Sequence, residues 1–143
     1  MLVVDRMAPG KDLALLIARI LMVILFLWSG WAKISGFSAT VSEFTAMGVP
    51  MPTLATIIAA LAEFPAMILI LVGFYTRPLS ILLAIYVLAT AFIGHPYWAV
   101  PQAERLMMEI NFYKNFSIAG GLVAIYAAGA GRFSLDALRG RNA

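Results

Sequence analysis

The sequence contains no cysteine and a single histidine, His95, among its 143 residues. Without cysteine, the chain cannot form a disulfide, a thiol redox pair or an iron–sulfur cluster of its own. One histidine cannot ligate a haem on both faces or build a multi-histidine metal site. We therefore expect no metal site and no covalently bound cofactor in this chain.

Charged residues are also scarce, at 12% of the chain, whereas 63% of the residues are hydrophobic. The mean hydropathy of +0.95 lies far above that of a soluble domain. A formal net charge of +3 would suggest a nucleic-acid partner for a soluble protein. Here the basic residues lie mostly at the ends of apolar runs, where membrane topology explains them. The composition thus indicates a lipid bilayer as the partner and excludes nucleic acid.

Four apolar runs are long enough to cross a bilayer, which takes about 20 residues of helix. These runs cover residues 13–34, 54–74, 79–98 and 110–128. Between the first two, residues 35–53 place apolar side chains at helical spacing, a pattern typical of a short helix in the membrane interface. We predict one all-α domain, an integral membrane four-helix bundle with a short interfacial helix between spans 1 and 2. Residues 99–109 are expected to form a polar loop and residues 129–143 a tail.

The first run also resembles a secretory signal peptide. A basic start, an apolar stretch and the small-x-small sequence Gly30-Trp31-Ala32 are features of such peptides. However, Arg19 interrupts the apolar stretch, and the length of the run suits a complete span. We therefore favour an uncleaved first span.

An even number of spans places both termini on one side of the membrane, together with the turn between spans 2 and 3. The basic residues on that side are Arg6, Lys11, Arg77, Arg132, Arg139 and Arg141. The opposite loops clearly offer only Arg105. Because basic residues are enriched in cytoplasmic loops, we expect a multi-pass protein with both termini in the cytoplasm.

One carboxylate, Glu63, lies near the middle of the second span. An ionisable group at that depth costs about 2.5 to 3.5 kcal/mol on insertion scales, so it usually faces a bundle interior and finds a partner. Pro65 adds a second polar group beside it, because proline removes a helical donor and frees the carbonyl of Leu61. We therefore predict a polar pocket around Glu63.

Polar residues of other spans are expected at a similar depth, from a helical rise of about 1.5 Å per residue. Asn115 falls near the level of Glu63, with Lys114 and His95 slightly toward the outer face. Arg19 lies deeper, but its long side chain is able to climb toward Glu63. The convergence of several costly groups in one bundle favours a site.

Each of these residues also has a purely structural interpretation. Glu63 paired with Arg19 or Lys114 would be a buried ion pair that fixes helix register. Lys33 and Lys114 lie close enough to the interface to extend their ammonium groups to water. His95, between Gly94 and Pro96, suits a helix end as well as a role with protons or a quinone head group.

At these positions the sequence resembles the DoxX family of small bacterial membrane proteins. The shared elements are Arg19, the G-x-x-K ending Gly30-Trp31-Ala32-Lys33, Glu63 followed by Gly73 and Thr76-Arg77, Lys114-Asn115, and the closing stretch 129–136. The resemblance extends from about residue 13 to residue 136. It implies a four-helix bundle in the bacterial inner membrane and a link to quinol oxidase and thiosulfate:quinone oxidoreductase subunits.

Because the chain lacks the residues for haem or thiol chemistry, we expect it to bind a quinone-like or other small amphipathic ligand, or to anchor a catalytic partner subunit. Whether it is itself an enzyme is left open. Glu63 would accept or deliver a proton, Lys114 and Asn115 would hold a carbonyl or anionic group, and Arg19 would be the counter-ion. Lys33 and His95 complete the candidate ligand-binding set. The alternatives are a non-catalytic scaffold or assembly protein, and a small-solute or proton permease acting as a homo-oligomer.

Overall fold

The computed structural model describes residues 10–140, and the chain is all-helical over that range, with no β-strand. The α-helices are α1 (Lys11–Ser35), α2 (Phe37–Ala46), α3 (Pro52–Glu63), α4 (Pro65–Val72), α5 (Thr76–Gly94), α6 (Gln102–Ala128) and α7 (Leu135–Leu138). A short 3-10 helix, Tyr97–Ala99, follows α5. The predicted all-α class is confirmed. Arg6 and Arg141, which entered the topology prediction, lie outside the described residues.

Three helical segments are long and apolar enough to cross a membrane: Lys11–Ser35, Pro52–Val72 and Thr76–Ala99. They correspond to the first three predicted spans. The helix α6 has 27 residues, but its first turns carry Glu104, Arg105 and Glu109. The fourth span therefore stays a prediction.

The polar loop predicted at residues 99–109 is wrong, because α6 begins at Gln102. Pro101 precedes the helix, and the residues that follow are mostly strong helix formers such as glutamate, arginine, leucine and methionine. Polarity alone suggested a loop, whereas these intrinsic preferences extend the helix. A helix does form within residues 35–53, namely α2, but its place in the membrane interface stays a prediction.

Pro65 divides the second membrane-length segment into two helices. The helix α3 ends at Glu63, and α4 begins at Pro65, with Phe64 between them at φ −113° and ψ −76°. Proline suits the first position of a helix, because the missing N–H would have no helical partner there. Glu63 therefore lies at a helix end inside the segment, where the regular backbone is interrupted.

The core lies where α1, α4, α5 and α6 meet. Its fully buried side chains include Val23, Met67, Ile70, Val87 and Leu122. Large apolar side chains also cover the outside of the described helices, for example Leu21, which is 65% exposed. An apolar exterior around a packed core is what a surrounding bilayer requires.

The segment after α6 is not the tail that we predicted. Ala130 is completely buried, and the main-chain N–H of Asp136 donates to the carbonyl of Gly73 at 2.8 Å. The Asp136 carboxylate accepts the N–H groups of Tyr75 and Thr76, each at 2.9 Å, at the start of α5. Residues 129–138 thus fold back onto the turn between α4 and α5. Small residues and this single carboxylate, rather than apolar length, hold them there.

Candidate functional site

Glu63 forms a salt bridge with Lys33 of α1, with 2.7 Å between Nζ and Oε2. The Lys33 ammonium also donates to the Ser29 hydroxyl, one helical turn earlier, at 2.7 Å. The Tyr86 hydroxyl of α5 donates to the other carboxylate oxygen of Glu63 at 2.7 Å. We call Ser29, Lys33, Glu63 and Tyr86 the Glu63 cluster. It joins three helices through charge-assisted hydrogen bonds, which are about twice as strong as neutral ones.

Gly30 brings Lys33 to this position. A Cβ atom at Gly30 would lie 2.7 Å from the carbonyl carbon of Glu63 and 2.8 Å from the nitrogen of Phe64. Only glycine lets the α1 backbone come this close to the break between α3 and α4. Residues three apart share a helix face, so the close approach at Gly30 also directs Lys33 toward Glu63.

The cluster is mostly buried, but part of it is exposed. Glu63 is 7% exposed as a whole residue, and the side chain of Lys33 is 18% exposed. A carboxylate, an ammonium and a phenol in direct contact supply a proton acceptor and two donors. The arrangement is therefore able to bind a polar ligand group and to exchange a proton with it.

Arg19 does not reach Glu63, contrary to the predicted role as its counter-ion. The Arg19 guanidinium donates to the carbonyl of Leu71 at 2.6 Å and to the carbonyl of Phe133, with a longer contact to that of Ile70. Ile70 and Leu71 belong to the last turn of α4, where unpaired carbonyls give the helix its negative end. The partner of Glu63 is Lys33, a member of the predicted ligand-binding set for which an extension to water was the structural alternative.

A glycine and an aspartate complete the surroundings of Arg19. Gly73 has a left-handed φ of 71°, and a Cβ atom there would lie 2.7 Å from Nη1 of Arg19. Burial alone would raise the pKa of Asp136, but the N–H groups of Thr76 and Tyr75 and the charge of Arg139 hold this pKa below its ordinary value of 3.8. We call Arg19, Gly73 and Asp136 the Arg19 site.

The hydrogen bonds of the other predicted site residues, Asn115 and Lys114, go to groups outside the Glu63 cluster. Asn115 donates to the carbonyl of Val87 at 3.2 Å and to the Thr90 hydroxyl at 3.1 Å, which ties α6 to α5. Lys114 is exposed, and its ammonium donates to Asn111 at 2.8 Å. His95 follows the end of α5, and its buried Nδ1 has no hydrogen-bond partner in the described part of the chain.

Two members of the cluster, Tyr86 and Ser29, were absent from the predicted set. Tyr86 carries a hydroxyl in an otherwise apolar stretch of the third span, and Ser29 lies one turn before Lys33. Hydroxyl groups in apolar helices form hydrogen bonds across helix interfaces, so Tyr86 offered a signal. The signal at Ser29 is its position one helical turn before Lys33.

No three acidic or histidine side chains between residues 10 and 140 converge as metal ligands. Two grooves of about 360 and 400 Å³ lie on the described surface, and neither is lined by Glu63. A ligand at Glu63 would therefore approach through the partly exposed Lys33 rather than occupy one of these grooves.

Apolar membrane-length helices around a buried ion pair define a small multi-pass membrane protein. The DoxX family model matches residues 14–96, and the chain belongs to this family, as its sequence pattern predicted. The matched part contains the whole Glu63 cluster and also Arg19.

Two relatives from Escherichia coli strain K12 cover nearly the whole chain. Inner membrane protein YphA is 47% identical over 127 residues, which is 89% of this chain and 91% of the relative. Inner membrane protein YqjF is 39% identical over 128 residues, which is 90% of this chain and 93% of the relative. No solved structure matches the chain.

Proposed function

We propose that this protein is an accessory subunit of an oxidoreductase system in the bacterial inner membrane, and that its Glu63 cluster binds the head group of a quinone-like or other small amphipathic ligand. The single observation that carries the proposal is the contact of Glu63 with both Lys33 and Tyr86. The names of the two bacterial relatives support the inner-membrane location.

The chemistry assigned to each residue follows from its hydrogen-bonding capacity. Lys33 has a third N–H that would bind a ligand carbonyl or an anionic oxygen, and Tyr86 would turn its O–H from Glu63 to the ligand. Glu63 would take up or release a proton. The exposed fraction of Lys33 offers the approach to the cluster. The chain contributes no electron carrier of its own to this proposal, so electrons would pass between the ligand and a partner subunit.

The proposed topology is a four-helix bundle with α6 as the fourth span, α2 in the interface and both termini in the cytoplasm. Leu106, Tyr113 and Val123 give α6 an exposed apolar surface along its length. The main-chain N–H of Arg132, after α6, donates to Asp12 at the start of α1. Four crossings would bring these two ends of the bundle together on the same side.

Ubiquinone binding by the purified protein tests the proposed site. A short-chain ubiquinone analogue is titrated against the wild-type protein and against Glu63→Gln, which removes the charge and keeps the size. We expect at least a tenfold loss of affinity, because one charge-assisted interaction is worth about 1.4 kcal/mol or more. Glu43→Gln, which changes an exposed carboxylate on α2, is the matched control. Equal affinity of wild-type and Glu63→Gln protein would refute the role of Glu63.

A non-catalytic scaffold is the second candidate function. It is favoured by the closed hydrogen bonding of the cluster, because both oxygens of Glu63 and two donors of Lys33 already have partners. A buried ion pair of this kind is able to act solely by fixing the register of neighbouring helices. In that case the double variant Lys33→Met with Glu63→Leu would retain its partner subunits and its growth phenotype, whereas the ligand-binding function predicts loss of the phenotype.

A further inference from the structure

A groove of about 400 Å³ runs between α1 and α6, on a different part of the surface from the Glu63 cluster. Its walls are apolar, with Leu21 and Leu25 on the α1 side and Ile118 on the α6 side. Lys114 is the single charged residue among those that line it. The groove therefore combines hydrocarbon walls with one positive charge.

Lys114 lacks a negative partner within residues 10–140. Its ammonium donates to the neutral amide oxygen of Asn111, and the salt bridges of the described residues involve Lys33 and Arg132 instead. A neutral amide orients an ammonium but leaves its charge uncompensated. In apolar surroundings that charge is costly, so a bound anion would stabilise it.

Further along α6 from Lys114, Gly121 marks a close approach of α6 to α1. A Cβ atom at Gly121 would lie 2.5 Å from the terminal methyl of Met22, so α1 and α6 touch there. Small residues allow such close approach of helices. Lys114 precedes Gly121 by two helical turns, about 10 Å along α6. The groove thus has its one positive charge at Lys114 and apolar side chains of α1 along its length.

We propose that this groove binds a single-chain anionic amphiphile, a long-chain carboxylate, with its head group on Lys114 and its chain along α1 toward Met22. One ammonium matches one negative head group, and the apolar walls of a groove of about 400 Å³ match one hydrocarbon chain. The site is independent of the proposed function at Glu63.

Paired probes that differ in the head group test the site. The protein, purified in an uncharged detergent, is incubated with palmitate or with hexadecanol, and the bound fraction is measured by native mass spectrometry. We expect palmitate to bind at least tenfold more tightly than the alcohol of equal chain length. Lys114→Gln should abolish this preference, and Lys114→Arg should retain it.

Three further variants separate the groove from other sites. Arg105→Gln removes an exposed cation of α6 outside the groove and should keep the preference for palmitate. Leu21→Trp should weaken palmitate and hexadecanol alike, because the larger ring fills the groove. Glu63→Gln should leave palmitate binding unchanged.

Three outcomes would overturn the proposal. Equal binding of acid and alcohol by the wild-type protein removes the role of charge. A preference that survives in Lys114→Gln removes the role of Lys114, and retention of a co-purified anionic phospholipid that palmitate does not displace assigns the groove to a different occupant. If Lys114→Gln fails to fold, the other two variants still test the proposal. Loss of the palmitate preference in Lys114→Arg, or unchanged palmitate binding in Leu21→Trp, contradicts it.

Discussion

The Glu63 cluster and the Arg19 site are two ways of burying a charge in one bundle. Glu63 is compensated by the side chains of Lys33 and Tyr86, whereas Arg19, which is 1% exposed, is bound by main-chain carbonyls of α4 and of the segment after α6. A carboxylate and its donors are able to exchange protons. A guanidinium cannot be deprotonated in proteins, so Arg19 exchanges no proton, and its bonds to carbonyls join α1 to α4 and to the segment after α6.

A glycine stands beside each charge, and the two glycines serve the sites differently. Gly30 lets α1 touch the interrupted backbone at Glu63, while Gly73 adopts a left-handed conformation and leaves room for Arg19 and Ser134. Gly30 thereby brings together two ionisable side chains, those of Lys33 and Glu63. Gly73 brings a chain segment over a helix end. This difference separates the proposed ligand site from a structural one.

Arg19→Leu should give the largest loss of stability. Removing the guanidinium leaves buried carbonyls without donors, and removal of one partner of a buried charged contact costs about 3 to 5 kcal/mol. The measurement is the free energy of unfolding in detergent, followed by circular dichroism. Arg105→Leu, on the exposed start of α6, is the control and should change little. A loss below about 1 kcal/mol for Arg19→Leu would contradict the architectural role.

Glu63→Leu should cost less, about 2 to 4 kcal/mol, because Lys33 is partly exposed and recovers some hydration. The double variant Lys33→Met with Glu63→Leu should recover much of that loss, since it leaves no unpaired charge. Unfolding free energies of the two single variants and the double variant form a thermodynamic cycle. Additive effects in this cycle would mean that the two side chains do not interact.

The sequence was sufficient for the parts of the fold that depend on local preferences. Apolar length predicted the first three membrane-length segments, and Pro65 predicted the irregularity beside Glu63. The same reasoning was wrong about the start of α6, where polar residues that favour helix were taken for a loop. Local sequence preferences therefore predicted which segments are helical better than they predicted where the polar segments begin and end.

Partners across helices were harder to predict, because they depend on which helices are neighbours and how each is rotated. Depth alone favoured Arg19 or Lys114 as the partner of Glu63, whereas the structure pairs it with Lys33. The G-x-x-K spacing carried the missing information, since a glycine at a close contact directs the lysine one turn later to the same face. Nothing local signalled that residues 129–138 would supply a carbonyl to Arg19.

Asp136→Asn should cost about 1 to 2 kcal/mol at neutral pH, because the carboxylate accepts two N–H groups at the start of α5. The folded-state pKa of Asp136 lies below its ordinary value of 3.8. Its charged form therefore contributes fully above that value, and the contribution is lost as the pH falls through the lower folded pKa.

The difference in unfolding free energy between wild type and Asp136→Asn should consequently shrink between pH 7 and about pH 3. The Glu63→Leu variant, measured in parallel at both pH values, reports how the other site responds. A difference that stays constant or grows on acidification would show that the Asp136 carboxylate does not stabilise the fold through its charge.

Ser29→Ala should give the smallest effect, about 0.5 to 1 kcal/mol, because the partly exposed Lys33 ammonium can replace this hydrogen bond with water and keeps its salt bridge. The same measurement on Tyr86→Phe removes the donor to Glu63 itself and should cost more, since hydrogen bonds to charged groups are worth about 1.5 to 3 kcal/mol. If Ser29→Ala were the more harmful change, Lys33 would be held mainly by its own helix. Glu63 would then depend mainly on its hydrogen bond from Tyr86.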